Sequence, residues 1–398
     1  MTIKDMHLNP VVPLPIICQL KTILTHIVEA NGAMAVWRLP HQSIIMVLID
    51  FSTQPEKINL MQSHQVSGFV INYFCDTGSQ SHLLKPDLLL ALTAEGWQVK
   101  QQSGCKKASV FLNKLKQIKP VNSTWHSATS HASADSQDKS HYLNLVNHSI
   151  QQIKHKVFHK VVLARQKTLS TTTHPVDLFA SCLILYPSAM VSLISVAGVG
   201  TWVGASPEKL LSQTKNGTIE TIALAGTQSL NKQRQVIWSD KEKKEHAWVA
   251  QFIRDCCQQL GLNNVIEQKM KTITAYDMVH LQTKFTLKPQ TPHRKNIAFS
   301  LLNQLHPTPA VCGIQQARTQ AYIIANEGFE RQLYAGYLGA VNLCGETHVF
   351  VNLRCVQFFN QSVLLYAGAG ITDASIAENE WQETEIKMQN MMRLLTCL

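Results

Sequence analysis

Two pairs of glutamates, each near the start of a predicted helix, are the residues whose spacing most clearly suggests chemistry. Glu380 and Glu383 stand near the C-terminus, and Glu242 and Glu245 stand in an earlier segment. On a wheel of about 100° per residue, these acids fall on or beside the arc that the apolar residues define. Buried carboxylates require a cation or hydrogen-bond donors close by. Because oxygen ligands from paired carboxylates suit Mg²⁺, the pattern predicts a magnesium site to which both helices contribute.

Each helix also allows an ordinary structural explanation. Glu383 and Lys387 have the i,i+4 spacing of a surface ion pair, which contributes about 0.2 to 0.5 kcal/mol to helix stability. Ser239 and Glu242 fit a capping box at the start of a helix. Glu245 has no such explanation, since its place on the wheel is among apolar side chains. The two helices together therefore favour a functional site over two unrelated structural pairs.

The elements that must position these residues are strands followed by helices and then more strands. This order, without regular βαβ alternation, favours an α+β fold with antiparallel sheet. The β-type run 363–366 is predicted to end in a tight turn at Gly368 and Gly370, and a helix is predicted from about Asn379 to the C-terminus. The other predicted strands are 44–51, 68–74, 108–112, 160–165, 190–197, 200–204 and 349–356, and the other predicted helices are 85–95, 142–153 and 176–185.

The composition indicates a globular protein with one large or two modest domains. Residues 1–121 are predicted to be a strand-rich part packed on the same core, residues 122–141 a flexible Ser- and His-rich connection, and residues 142–398 the part that carries the chemistry. Ten cysteines without CxxC spacing favour reduced thiols in a cytoplasmic protein over disulfides or a zinc site. No apolar run approaches the length that spans a membrane, so no membrane partner is expected.

The net charge of +10 would suit an anionic partner. The basic residues are scattered and form no basic-aromatic stripe, so nucleic acid is not expected to bind. Lys241, Lys243 and Lys244 are interpreted as a solvated helix face that turns away from the buried acids.

Short motifs distributed over residues 142–390 are specific as an ordered set. They are Lys160-Val-Val-Leu-Ala-Arg, Ala-Ser-Pro-Glu208, Leu-Ala-Gly226-Thr227, Glu245-His246, His280-Leu281, His306-Pro-Thr-Pro-Ala310, Arg354, Ala-Gly368-Ala-Gly370-Ile and Glu380-Trp-x-Glu383-x-x-x-Lys387. With this set the chain resembles the chorismate-utilising enzymes, which include anthranilate, aminodeoxychorismate, salicylate and isochorismate synthases. The resemblance implies a large core of two antiparallel sheets flanked by helices.

Within that family the resemblance is nearest to the isochorismate synthases. Lys160 occupies the position of the base that activates water, and the loop 306–310 is like theirs. The resemblance implies that water attacks C2 of chorismate while the C4 hydroxyl leaves, with Lys160 as the base and Glu208 as the acid. The product would feed menaquinone or siderophore biosynthesis.

The resemblance also implies how metal and substrate are held. Glu245 and Glu383 would bind Mg²⁺, with Glu242 and Glu380 surrounding them. Arg354 would bind the side-chain carboxylate of chorismate through its guanidinium. Further substrate contacts are implied for Thr227, Gly226, His280, Tyr334, Gly368, Gly370 and Lys387.

Other functions are compatible with parts of this pattern. A salicylate synthase would form isochorismate and then eliminate pyruvate in the same pocket. A glutamine-dependent aminating synthase is disfavoured, because Lys160 would have little purpose there and no amidotransferase segment is evident, so no amidotransferase subunit is expected. A basic, non-catalytic binding protein is the alternative from another class. A monomer or a homodimer is expected.

Overall fold

The computed structural model describes residues 14–62, 66–76, 81–93, 96–115, 124–127, 139–229, 236–275, 278–288 and 296–396. Within these ranges the helices are α1 (Leu14–Glu29), α2 (Lys106–Leu115), α3 (Lys139–Lys154), α4 (Pro175–Leu185), α5 (Asp240–Gln259), α6 (Ile297–Leu305), α7 (Gln316–Asn326) and α8 (Ala377–Thr396). None of these described helices combines the length and apolar character that a membrane crossing requires.

The strands of the same ranges form two antiparallel sheets of ten strands each, which confirms the predicted α+β class. The first half of the chain contributes β1 (Ala33–Arg38), β2 (Ile45–Asp50), β3 (Glu56–Ile58), β4 (Gly68–Asn72), β5 (Ser81–Leu84), β6 (Leu88–Thr93), β7 (Gly96–Gln102), β8 (Lys160–Ser170), β9 (Met190–Val196) and β10 (Gly200–Ser206). The second half contributes β11 (Lys209–Gln213), β12 (Ile219–Ser229), β13 (Val265–Glu267), β14 (Lys271–Ala275), β15 (Met278–Leu287), β16 (Gly313–Ile314), β17 (Tyr337–Leu343), β18 (Glu346–Val351), β19 (Cys355–Phe358) and β20 (Ser362–Ile371).

The order of strands shows that the N-terminal strands belong to both sheets. The first sheet runs β16-β8-β20-β19-β10-β9-β1-β2-β6-β7, and the second runs β13-β15-β12-β11-β18-β17-β4-β5-β3, with β14 also paired to β15. Strand β1 pairs with β9, and β4 pairs with β17. The strands before residue 103 are therefore hydrogen-bonded into the same two sheets as the strands that carry the chemical motifs.

The first sheet separates two apolar cores. Because successive side chains of a strand point to opposite faces, Ala35 and Trp37 of β1 pack in one core and Met34 and Val36 pack in the other. The first core also contains side chains of the second sheet, and the second core contains side chains of α1, α4 and α8. Helix α8 buries Met388, Met391, Leu394 and Leu395 there, which confirms its predicted apolar arc.

Two of the connections between the sheets carry predicted site residues. Strand β10 of the first sheet leads through residues 207–208 into β11 of the second, and β18 of the second leads through residues 352–354 into β19 of the first. The predicted strand 349–356 is therefore wrong as a single element. Arg354 lies in the break with a φ of 49°, a left-handed conformation outside the extended β region.

Three other predicted elements are wrong for identifiable reasons. The predicted glycine turn is absent, because β20 runs through Gly368 and Gly370 and pairs with β8 as far as Ile371. The predicted helix 85–95 contains strand β6 (Leu88–Thr93), whose leucines are buried on both faces of the sheet, and residues 94–95 lie outside the described residues. The predicted strand 108–112 is helix α2, which buries Ala108 and Phe111 at i,i+3 spacing. In the first two cases contacts distant in sequence override local preference, whereas in the third the buried residues follow the helical period.

Part of the connection that is predicted to be flexible packs on the core. The ring of Trp125 contacts that of Phe358 edge-on, with 6.3 Å between centroids. His126 Nε2 lies 2.7 Å from the carbonyl oxygen of Gly32. The short stretch 124–127 is thus held by buried groups, and the rest of this connection up to residue 138 lies outside the described residues.

Candidate functional site

A cavity of about 460 Å³ collects residues from distant parts of the chain. Its walls come from β8, β20, α5 and α8 and from the β10–β11 and β18–β19 connections. Among the predicted site residues whose side chains are described, all except Glu380 line it. Thr227 lies in β12 opposite His280, and its side chain is outside the part of the structure that is described.

Lys160 stands at the start of β8 with its ammonium in the cavity. Its Nζ lies 3.0 Å from Oε2 of Glu245 on α5, and the two side chains are 3% and 15% exposed. Gly370, on the neighbouring strand β20, provides the space for this pair. A Cβ added at Gly370 would lie 2.9 Å from Lys160 Cε and 3.3 Å from Glu245 Oε2. The glycine is therefore required by close approach of two side chains.

A methyl group at position 370 is expected to displace the lysine while leaving the fold intact. The nearest atom belongs to the flexible end of a side chain, so Gly370→Ala should change the free energy of unfolding little. Activity should fall about 100-fold, because small displacements of reacting groups are costly. Steady-state kinetics and thermal unfolding measure the two effects. The control is Gly104→Ala, which adds a methyl group in open space; equal activity in both variants would contradict the steric argument.

Glu208 lies in the connection between β10 and β11 and is 7% exposed. Burial raises the pKa of its carboxyl to about 7, although the Thr308 hydrogen bond and the ammonium groups of Lys160 and Lys387 act in the opposite direction. The Thr308 hydroxyl donates to Glu208 Oε1 at 3.2 Å. A carboxyl group with this pKa is substantially protonated at neutral pH and can donate a proton inside the cavity.

Two of the paired acids open into the cavity beside cations. Glu245 contacts Lys160, and Oε1 of Glu383 lies 2.5 Å from Nζ of Lys387, whose ammonium also donates to the carbonyl oxygen of Gly368 at 2.7 Å. Burial acts to raise the pKa of Glu383, but the ammonium groups of Lys387, Lys241 and Lys160 together outweigh it and the pKa is lowered. Both acids therefore present carboxylate oxygens to the cavity.

The other two acids are engaged by protein groups. Glu242 forms the predicted capping box with Ser239 and also accepts hydrogen bonds from the Gln228 amide. Glu380 is buried outside the cavity lining, where its Oε1 lies 3.1 Å from Nζ of Lys241. Burial is the main reason that the pKa of Glu380 is raised.

The donor set fits a hydrated divalent cation better than a complete protein cage. Among the described residues, no three His, Cys, Asp or Glu side chains converge as metal ligands. Mg²⁺ commonly uses one or two carboxylates and keeps water or substrate oxygens in its other positions. Glu245 and Glu383, which both open into the cavity, fit that requirement.

Cationic and neutral donors line another part of the cavity. Arg354 is oriented by a hydrogen bond from Nη1 to the Lys387 carbonyl oxygen at 3.2 Å. Burial and the Arg354 guanidinium lower the pKa of His280 to about 4, so its ring is neutral at pH 7. The His280 Nδ1 lies 3.3 Å from the carbonyl oxygen of Gly226. Gly226 has a φ of 79° at a β-bulge in β12, a conformation that glycine adopts without strain.

An aromatic wall completes the cavity. Tyr334 and Tyr366 stack with centroids 5.2 Å apart, and Trp202 stacks on the other side of Tyr366 at 5.4 Å. Both tyrosines line the cavity. The Tyr334 hydroxyl lies 3.1 Å from the position that a Cβ at Gly368 would occupy, so a side chain there would press on it.

Three residues that lie in or beside the cavity were not predicted as site residues, although a feature of the sequence pointed to each of them. Tyr366 shares a strand face with Gly368 and Gly370, because side chains two residues apart point the same way. Lys241 lies only about 20° from the buried arc on the wheel; it lines the cavity instead of turning away from the acids. Thr308 belongs to the motif at residues 306–310, but its contact with Glu208 depends on tertiary structure.

The amino-acid sequence of this chain is similar to those of known proteins. A family model described as "Chorismate binding enzyme" matches residues 19–396. The isochorismate synthase EntC of Escherichia coli is 32% identical over 248 residues, which are 59% of this chain and 62% of that protein. The isochorismate synthase MenF of Bacillus subtilis is 28% identical over 342 residues, which are 80% of this chain and 70% of that protein. The match to EntC therefore spans less than two thirds of that relative's length.

Solved structures share the fold over nearly the whole chain. The menaquinone-specific isochorismate synthase MenF from Escherichia coli superposes with a TM-score of 0.75 at 23% identity, covering 99% of this chain and 92% of that one. Anthranilate synthase component I from Streptococcus pneumoniae gives a TM-score of 0.66 at 16% identity, covering 99% and 95%. At these identities the likeness establishes a common architecture of two sheets.

Proposed function

Because the chain belongs to the family of chorismate-binding enzymes, we propose that it converts chorismate to isochorismate. The observation that carries the proposal is that Lys160 and Glu208 open into one cavity together with three further acidic side chains and three further cations, which are Glu242, Glu245 and Glu383, and Lys241, Arg354 and Lys387. The names of the relatives EntC and MenF support the same activity. Related isochorismate synthases of both siderophore and menaquinone type are among the similar proteins.

The cavity suits the charge of the proposed substrate. Chorismate carries two carboxylates, so its binding requires cations. Arg354 presents a guanidinium that can form paired hydrogen bonds with a carboxylate. Lys387 adds an ammonium whose position is fixed by Glu383 and by the Gly368 carbonyl oxygen. Mg²⁺ bound by Glu245 and Glu383 would neutralise the other carboxylate.

The proposed reaction exchanges one hydroxyl position for another. With Lys160 as the neutral amine, water forms a bond to C2 and gives a proton to that amine. Both ring double bonds shift, from C1–C2 to C1–C6 and from C5–C6 to C4–C5, and the C4–O bond breaks. Glu208 gives its proton to the departing hydroxyl, which leaves as water. The overall composition is unchanged, as an isomerisation requires. The pKa of Glu208, which burial raises to about 7, supports its role as the acid, because the carboxyl then holds a proton near neutral pH. The position of Lys160 in the same cavity supports its role as the base.

Incubation with chorismate, followed by chromatographic identification of products, tests the proposal. With Mg²⁺ the expected product is isochorismate, and addition of EDTA is expected to reduce turnover at least 100-fold, with recovery when excess Mg²⁺ is restored. Salicylate and pyruvate in place of isochorismate would establish the alternative, a salicylate synthase. Unchanged chorismate in the presence of Mg²⁺ would contradict both.

A further inference from the structure

Thr308 makes a side-chain contact with Glu208, the proposed acid. It lies between α6 and β16, and its hydroxyl donates to Oε1 of Glu208 at 3.2 Å. The two side chains are buried, with exposures of 6% and 7%. A hydrogen bond to a catalytic carboxyl in such a place is shielded from water, so it has a strong influence on that group.

The backbone around Thr308 is fixed independently of Glu208. The Thr308 carbonyl oxygen accepts hydrogen bonds from the backbone N–H groups of Val311 and Cys312, at 3.1 and 2.9 Å. The side-chain amide of Gln316 donates to the carbonyl oxygen of Pro307 at 3.2 Å. These contacts hold the turn itself, so the hydroxyl is directed at the carboxyl by the fold.

Glu208 is anchored in the same way from its own side. The N–H of Glu208 donates to the Ser206 hydroxyl at 3.3 Å, and its carbonyl oxygen accepts from the N–H of Val351 at 3.0 Å. The Ser206 hydroxyl in turn donates to the carbonyl oxygen of Val351. Since both partners are held by separate backbone contacts, the orientation of the carboxyl plane depends on the hydroxyl that joins them.

We propose that Thr308 is a positioning residue that directs the transferable proton of Glu208 to one oxygen. Because Oε1 accepts the Thr308 hydrogen bond, the proton of the neutral carboxyl resides on Oε2. The inference rests on the proposed role of Glu208 as the acid. Thr308 itself touches no reacting atom; it acts through the carboxyl.

The charged groups that face Glu208 give the sign of the effect on its titration. They are Lys160 from β8 and Lys387 from α8, and both favour the carboxylate, as does the Thr308 hydroxyl. Burial opposes all three and is the largest influence. Removal of the hydroxyl would leave burial and both ammonium groups in place, so the carboxyl should stay protonated to higher pH.

Thr308→Val and Thr308→Ser test this directly, because valine keeps the shape of threonine without the donor and serine keeps the donor. With glutamate labelled at its carboxyl carbon, NMR follows the titration of Glu208, and Glu208→Gln identifies the signal. The midpoint in Thr308→Val is expected about one pH unit higher than in the unmodified protein. In Thr308→Ser it should stay where it is.

Turnover gives a second readout. Thr308→Val is expected to lower kcat about tenfold with KM unchanged, because the proton is no longer confined to one oxygen, and serine should restore kcat to within about threefold. An unshifted midpoint and unchanged kcat in Thr308→Val, or an equal shift in Thr308→Ser, would overturn the inference. If the unmodified protein forms no isochorismate, the proposed function fails, yet the NMR midpoints still decide whether Thr308 controls Glu208.

Discussion

Replacement of Lys160 by alanine is expected to lower kcat for isochorismate formation by about 10² to 10⁴, the usual contribution of a positioned general base. The ammonium is buried in the cavity and contacts Glu245, so no other described lysine of β8 can replace it. Substrate binding should survive, because the cations proposed for the carboxylates are Arg354 and Lys387. Stopped product assays give kcat, and titration calorimetry with chorismate gives the affinity.

The matched control for this substitution lies on the same strand. Lys167 also pairs with a carboxylate, that of Glu385 at 3.2 Å, and is 29% exposed outside the cavity lining. Lys167→Ala should therefore leave kcat within about twofold of the unmodified enzyme, although it also removes a lysine–glutamate ion pair, one that is more exposed than the pair of Lys160. Turnover retained in Lys160→Ala would remove this residue from the role of the base, whatever its effect on stability.

Glu208→Gln is expected to have an effect of similar size, about 10² to 10⁴ in kcat, because an amide cannot give up a proton to the leaving hydroxyl. In the unmodified protein the acid form is lost as the pH rises through the pKa of about 7. The rate should accordingly fall above pH 7, and this limb should be absent from the residual activity of the variant. A pH profile of kcat for both proteins measures it.

The same carboxyl predicts a change in stability that does not depend on turnover. A folded-state pKa of about 7, above the ordinary value of 4.5, means that the folded protein holds a proton that the unfolded chain releases between these values. This contribution is complete below about pH 4.5 and is lost as the pH rises through about 7. Relative to Glu208→Gln, the unmodified protein should lose about 3 kcal/mol of unfolding free energy between pH 4.5 and pH 8.

Denaturant unfolding of both proteins at the two pH values measures this difference. Thr221→Val, which removes a buried hydroxyl that donates to the Leu210 carbonyl oxygen, serves as a control without a titrating group. Its difference from the unmodified protein should be the same at both pH values. A pH-independent difference for Glu208→Gln as well would mean that the carboxyl titrates normally and is not poised as an acid.

The sequence predicted much of the site because its information is linear and periodic. The order of the motifs is written in the chain, and the wheel position of Glu245 among apolar side chains could be read without coordinates. Helix α4 agrees with its predicted segment because its apolar residues repeat at the helical period, and strand β8 begins with the continuous apolar run that predicts a buried strand. The capping box at Ser239 was also predicted, since it depends on residues three apart.

Errors occurred where neighbours distant in sequence decide the conformation. Gly368 and Gly370 suggest a turn when considered alone, yet pairing with β8 extends the strand through both. Leucines 88–90 have a high helix propensity, but they form a strand because β6 is hydrogen-bonded to β2 on one side and to β7 on the other.

By itself, the sequence determined which residue types could hold a divalent cation and an anionic substrate, and which helix faces carry them. Only the tertiary structure decided that Lys160 at the start of β8, Glu208 in the β10–β11 connection and Glu245 on α5 open into one cavity. It also decided that Glu380 is bound by Lys241 outside that cavity, and that Glu208 holds a proton near neutral pH. The physical reason is that the distances between side chains and the desolvation of ionisable groups depend on which segments pack together. Neither quantity can be obtained from the order of the residues alone.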